Sequence, residues 1–336
     1  MPGPGPSGKP RIAWQFQADG PFGSSPAVVD GVVYAVSGDG VVHALDLGSG
    51  QERWKAELGT EASASPLVVD NLVVAADEGG TIHALSRADG TPVWSVRTDG
   101  SISGSPAVVD DRIIAATQSG SVYALEAAKG KVAWQTAVGG PMSRSLTIAD
   151  GTIYVGVGGE IVAVSATDGS ILWRVTVATD GSVGTPTVAG GVVFAALGLD
   201  GADTAARAVG TFDALTGKLG WRYASPTQAQ IYTPAVADGR AYVVGHDRLL
   251  VALDATTGAV VWSTTRPNEI HALPAVVGNV VYIVGNGGPV EAIDATTGAP
   301  VWNVPIKGNP YAPTVVDGYL VVGTSVGTLY AIAGPI

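Results

Sequence analysis

Four histidines, His43, His83, His246 and His271, and 29 acidic residues are the groups in this sequence best suited to exchange protons or hold a hard cation. Cysteine is absent, which excludes a thiolate metal site, a thiol nucleophile and a disulfide framework. Serine is common, and the G-x-S-x-G string GTSVG (323–327) lies between two short strand-like runs with no helix pattern after it, so the strand-to-helix elbow of a hydrolase is missing too. Asp30, Asp70, Asp110, Asp150, Asp238 and Asp317 recur at equivalent turn positions, where local backbone hydrogen bonding favours Asp. Repetition gives them a turn role ahead of calcium binding. His43 and His83 precede an Ala-Leu pair as Tyr123 does, Tyr330 stands likewise before Ala-Ile, and the two histidines read as packing residues.

A smaller set interrupts a pattern instead of repeating it: Arg144, Gln230, Tyr232, Glu269, His271, Asn309 and Tyr311. They lie near Ser-Pro-like steps that recur along the chain. Two residues before that Pro position, the chain reads Ser24, Ala64, Gly104, Arg144, Gly184, Tyr232, Ala272 and Tyr311, so three large side chains break a row of small ones. SPTQAQIYTP (225–234), RPNEIHALP (266–274) and KGNPYAP (307–313) replace plain Gly-Ser stretches. Brought together, these residues make a polar, aromatic mouth for a small ligand or a peptide. The alternative role is to fill a central channel.

The elements that must position them follow from the tryptophans. ALDATTGAVVW (252–262) and AIDATTGAPVW (292–302) are near-copies, and looser versions precede Trp54, Trp94, Trp134, Trp173 and Trp221. Along Trp14, Trp54, Trp94, Trp134, Trp173, Trp221, Trp262 and Trp302 the intervals are 40, 40, 40, 39, 48, 41 and 40 residues. A period of about 40 signals a repeat architecture. Each unit holds short Val-, Ile-, Ala- and Tyr-rich runs separated by Asp-Gly, Asn or Gly-Gly turns, the pattern of successive hairpins with four strands. No segment sustains an apolar spacing of three and four long enough for a helix, which favours an all-β assignment over a helical solenoid. The expected fold is all-β: an eight-bladed β-propeller of four-stranded antiparallel blades. Trp14 lacks the lead-in, and the C-terminal LYAIAGPI is a lead-in without Trp; residues 11–17 are therefore expected to complete the last blade and leave no open edge. The 48-residue interval carries the one substantial insertion, GLDGADTAARAVG (198–210), expected on the same face as the mouth loops.

A closed ring of repeats makes residues 11–336 a single domain, and the Pro/Gly/Ser-rich residues 1–10 resemble a linker from a missing N-terminal module. Net charge −11, with 18 scattered basic residues, argues against nucleic acid or an anionic membrane as partner. No stretch approaches the roughly 18 apolar residues of a membrane span, and the opening residues lack a signal-peptide core. The fragment is expected to be monomeric.

The A-x-D-x-x-T-G-x-x-x-W pattern, followed by S-P-x-V-x-D-G-x-V-Y, resembles the pyrroloquinoline-quinone (PQQ) repeat of quinoprotein-type eight-bladed propellers over residues 11 to 333. WD-type signatures are not found. The resemblance implies that all eight tryptophans dock neighbouring blades. An indole buries about 150–250 Å², worth roughly 4–6 kcal/mol before entropy. Relatives that oxidise alcohols hold the quinone between a tryptophan floor and a vicinal disulfide, with calcium alongside. This chain has no cysteine and every tryptophan is used by the repeat, so neither PQQ nor calcium is expected and no catalytic residue is assigned. The leading expectation is a non-catalytic sensor propeller. It resembles the C-terminal regions of bacterial receptor Ser/Thr kinases, extracytoplasmic and binding a protein, peptide or small molecule; any kinase activity would lie in the missing module. The alternative is a protein-assembly scaffold similar to BamB.

Overall fold

The computed structural model describes residues 4–142, 145–177, 183–198, 207–227, 229–270 and 272–334. Among them are 32 strands in eight four-stranded antiparallel sheets and no helix. Blade 1 shows the unit, with strands Ala27–Val29, Val32–Ser37, Val41–Asp46 and Glu52–Glu57 paired in chain order. Its two middle strands are largely buried, whereas the outer strand alternates between exposed and half-buried. Middle strands meet a neighbouring blade on each side, which is why they are written as continuous apolar runs. Each apolar cluster accordingly straddles two blades: Val74, Ile82 and Ala84 of blade 2 pack with Ile113, Ala115 and Leu125 of blade 3.

The first turn of blade 1 places Asp30 and Gly31 at φ 49° and 71°, both positive as a two-residue type I′ hairpin requires. Asp70, Asp110, Asp150, Asp238 and Asp317 are also left-handed. The position selects Asp for its tolerance of that backbone. The local hydrogen bonding expected there is found at the third turn instead. Asp46 Oδ1 accepts from the backbone N–H groups of Gly48 (3.1 Å) and Ser49 (3.0 Å), and Asp254 and Asp294 do the same for Thr256–Thr257 and Thr296–Thr297.

The same turn docks the preceding blade. The indole N–H of Trp14, Trp54, Trp94, Trp134, Trp173, Trp221 and Trp262 donates, at 2.6–3.2 Å, to the carbonyl of Leu47, Arg87, Ala127, Ala166, Ala214, Ala255 and Ala295 respectively. The glycine closing the turn lies against the ring: a Cβ on Gly130 (φ 67°) would stand 2.6 Å from Trp94 Cε3. Glycine is thus required there both for its backbone and for its missing side chain. Trp14 is buried and the others half-buried, so their docking is worth less than full burial of an indole would give.

Arg11–Gln17 pairs with Thr328–Ala333 as the outer strand of blade 8, followed inward by Tyr319–Gly323 and Thr314–Val316, as the two half-copies predict. The inner strands Thr314–Val316 and Ala27–Val29 lie side by side and close the ring. Ahead of the first strand, Gly318 N–H donates to Pro4 O at 2.6 Å and Pro6 is buried, so residues 4–6 pack against the ring.

Candidate functional site

Strand order gives the ring two faces. The first and third turns of every blade share one end of the strands, the turn face. The middle turn and the connection to the next blade share the other, the mouth face. Gln230, Tyr232, Glu269, Asn309 and Tyr311 all lie on connections at the mouth face. Arg144 and His271 lie outside the described residues, as do residues 199–206 of the insertion. Leu197 and Ala208, on either side of those residues, pair at the mouth-face end of the second and third strands of blade 5.

Connections keep nearly the same length around the ring, as in 58–66, 98–106, 225–234, 266–274 and 305–313. Their contents differ. Through blades 2 to 5 a ladder of hydroxyls runs from blade to blade: Ser65 N–H donates to Ser105 Oγ (3.1 Å), Ser105 N–H to Ser145 Oγ (3.2 Å), and Ser145 N–H to Thr185 Oγ1 (3.2 Å). Leu273 and Ala312 hold that position in blades 7 and 8, and neither has a hydroxyl to offer.

In blade 6 the loop extends the inner strand: Tyr232 N–H donates to Val244 O and His246 N–H to Gln230 O, each at 2.9 Å, with Ile231 bridging Gly245. This rigid backing aims the half-buried Tyr232, whose hydroxyl lies 2.7 Å from His246 Nε2. In blade 7, Asn286 N–H donates to Glu269 O at 2.8 Å while the Glu269 side chain stays exposed. Asn309 stitches two blades, its Oδ1 accepting from Gly287 N–H (3.0 Å) and its own N–H donating to Ser325 Oγ (3.1 Å). Tyr311 N–H donates to Gly323 O at 3.0 Å, one seam further on.

Between blades 6 and 7 the mouth face opens into a groove of about 650 Å³ lined by His246, Asp247, Arg248, Pro267, Asn268, Glu269 and Asn286. Of the residues expected from sequence, Glu269 lines it directly. Gln230 and Tyr232 reach it through His246, and Asn309 adjoins it through Gly287. Sequence reasoning missed His246, Asp247 and Arg248. Arg248 has φ 67°, in a turn whose equivalents Gly40, Gly80, Gly120 and Gly327 have φ 81°, 87°, 89° and 76°. A left-handed non-glycine residue costs roughly 1–2 kcal/mol. Setting GHDR (245–248) beside SGDG (37–40) and DEGG (77–80) would have shown the exchange. The strained turn is braced from behind. Arg266 N–H donates to Arg248 O at 2.7 Å, and the Arg266 guanidinium pairs with Glu291, both side chains at most 10% exposed. Asp247 is also held, accepting a hydrogen bond from Thr227 Oγ1. Burial, with Asp247 nearby, pushes the Tyr223 hydroxyl pKa up. The groove therefore presents donors and acceptors of both charges on a stiff frame, suited to hydrogen-bonding a peptide-like surface.

Three stretches of the chain, 9–147, 139–231 and 205–334, match the family model PQQ_2, described as outer membrane protein assembly factor BamB. No curated protein matches by sequence. Among solved structures the chain is similar to BamB from Moraxella catarrhalis (20% identity, TM-score 0.79, 97% of this chain and 98% of that one). It is also similar to the computationally designed Ika8 protein (17%, TM-score 0.82, 94% and 98%) and to quinohemoprotein alcohol dehydrogenase from Comamonas testosteroni (16%, TM-score 0.77, 98% and 77%). At these identities the structural likeness speaks for the fold.

Proposed function

The chain belongs to the PQQ_2 family, that of outer membrane protein assembly factor BamB, and from that premise we propose that it is a non-catalytic propeller that binds a protein segment on the mouth face of blades 6 to 8. The observation that carries this reading is where the repeat is broken. Departures in Tyr232, Arg248, Glu269 and Asn309 fall around one groove, and one of them is kept in a strained backbone. Strain that packing does not require is a mark of function. The family description, an assembly factor, favours a protein partner over a small metabolite.

A quinone cofactor does not suit the residues. Seven indoles lie with one side against the turn glycine of the next blade and donate to a carbonyl of the same turn, and there is no cysteine pair to close a quinone from the other side. Among the described residues no three His, Asp or Glu side chains gather as a metal site would need. The sensor region of a receptor kinase and an assembly scaffold are two settings for the same binding face.

A photo-crosslinking residue placed at Tyr311 tests the reading, with one at Thr256 on the turn face as control. Position 311 should yield a discrete protein adduct that Glu269→Ala and Tyr232→Phe weaken without changing the melting temperature. Equal labelling from both faces would overturn it.

A further inference from the structure

A second groove, of about 630 Å³, opens on the turn face at the seam of blades 1 and 2, lined in part by Asp30, Tyr34, Arg53, Trp54, Asn71 and Arg87. The repeat supplies internal controls for it. The residue preceding each blade's tryptophan is Ala13, Val93, Ala133, Leu172, Gly220, Val261 or Val301, and only blade 1 places a charge there, Arg53. The residue whose carbonyl receives the tryptophan N–H is Ala127, Ala166, Ala214, Ala255 or Ala295 in blades 3 to 7, but Arg87 in blade 2. That carbonyl serves the seam whatever the side chain, so the tryptophan's hydrogen bond does not require the guanidinium of Arg87. Two unmatched arginines, from different blades of a chain with net charge −11, meet in one groove.

Local geometry puts both beside Trp54. In blade 1, Ala44 pairs with Trp54 and Leu45 with Glu52, leaving Arg53 as the unpaired bulge residue, a device that re-aims a side chain. Its guanidinium donates to Asp46 Oδ2 at 2.7 Å. Arg87 donates from Nη2 to Asp30 Oδ2 (2.5 Å) and from Nε to Tyr34 OH (3.3 Å). Other seams use arginine differently. Arg112 donates to the carbonyls of Ala166 and Thr167, and Arg240 to that of Ala295, so those guanidinium groups are spent on backbone. Arg87 instead holds a carboxylate that is 77% exposed, a pair of the kind worth about 0–1 kcal/mol and readily exchanged.

We propose that this groove binds a ligand carrying an oxyanion on a planar ring, the oxyanion taken by Arg87 and Arg53 and the ring laid beside Trp54. Asp30 stands in for the oxyanion in the free protein. Arginine matches carboxylate and phosphate through paired N–H donors, and an indole supplies stacking area. The site lies on the face opposite the proposed protein-binding mouth and is independent of it.

Calorimetric titration of the whole chain with phenyl phosphate, benzoate, inorganic phosphate and phenol tests this. Phenyl phosphate or benzoate should bind saturably, at least tenfold tighter than inorganic phosphate or phenol. Preference between the first two assigns the oxyanion as phosphate or carboxylate. Arg53→Val and Arg87→Ala import the residues of other blades and should fold as before. Each should weaken binding severalfold, and together they should abolish it. Asp30→Asn, which keeps a residue tolerant of left-handed backbone, should tighten binding by freeing Arg87. Unchanged binding in the double variant, or ring and oxyanion parts binding as well as the whole, would overturn the proposal.

Discussion

Blades 2 to 5 and blades 6 to 8 share strand order and connection length but treat the mouth face differently. In the first arc, Ser105, Ser145 and Thr185 each satisfy a backbone N–H of the blade behind, and the described loops are rich in Gly, Ser and Ala. In the second, Leu273 and Ala312 end that ladder, and Gln230, Tyr232, Asn268, Glu269 and Asn309 fill the loops. The turn face keeps the same tryptophan, carbonyl and glycine geometry in both arcs. Packing thus constrains one face of the repeat while the other is free to diverge, and among the described residues it diverges most from blade 6 to blade 8.

The largest effect tests the shared part. Trp94→Ala in the first arc and Trp262→Ala in the second should each cost about 3 kcal/mol, near the low end for a large aromatic deletion because both rings are half-buried. Thermal unfolding of the two variants should fall together. A Trp262→Ala protein that melts like wild type would mean that the second arc is docked by something other than its tryptophans.

How far the sequence reached follows the same division. Trp spacing and the T-G step gave the blade count, the ring closure and the docking hydrogen bonds of seven tryptophans, because the physical requirement repeats from blade to blade and the repetition is visible. Tyr232, Glu269 and Asn309 were visible as breaks in that repetition. His246, Asp247 and Arg248 were not, because they sit in the middle turn, which comes next to the mouth loop only when strands are paired. Arg53 and Arg87 were hidden for a related reason. They lie 34 residues apart and meet only across a seam. The turn aspartates were recognised as turn formers, but which of them use the side chain and which the backbone depends on φ.

Two smaller changes separate the arcs. Ser105→Ala removes the acceptor for a partly buried N–H of Ser65 and should destabilise by about 1 kcal/mol, read from a urea midpoint. Arg248→Gly should do the opposite, raising stability by about 1 kcal/mol as left-handed strain is relieved, while weakening the adduct formed from position 311. Loss of stability on Arg248→Gly would show that its side chain serves packing, and the second arc would then be a variant of the first instead of a binding surface.

The smallest effect bears on the turn face that both arcs share. Hydrogen bonds from Arg53 and Ser49 hold Asp46 at about 2, against an ordinary 3.8. Asp254 and Asp294 are lowered by Thr257 and Thr297 in the same way. In blades 2 and 4 the lowered carboxylates are Asp89, held by Ser86 and Thr91, and Asp168, held by Ser170 and Ser165. A carboxyl whose folded pKa is depressed contributes stability that is complete above its unfolded pKa and is lost as pH falls through the folded value. Stability should therefore be level above roughly pH 4–5 with respect to these groups and decline toward pH 2. Asp89→Asn and Asp254→Asn, one from each arc, should each flatten that acid limb slightly and to a similar degree in pH-dependent melting curves. A response confined to one arc would mean that the third turns, despite their common geometry, are not equivalent, and the division between a constrained face and a free one would no longer hold.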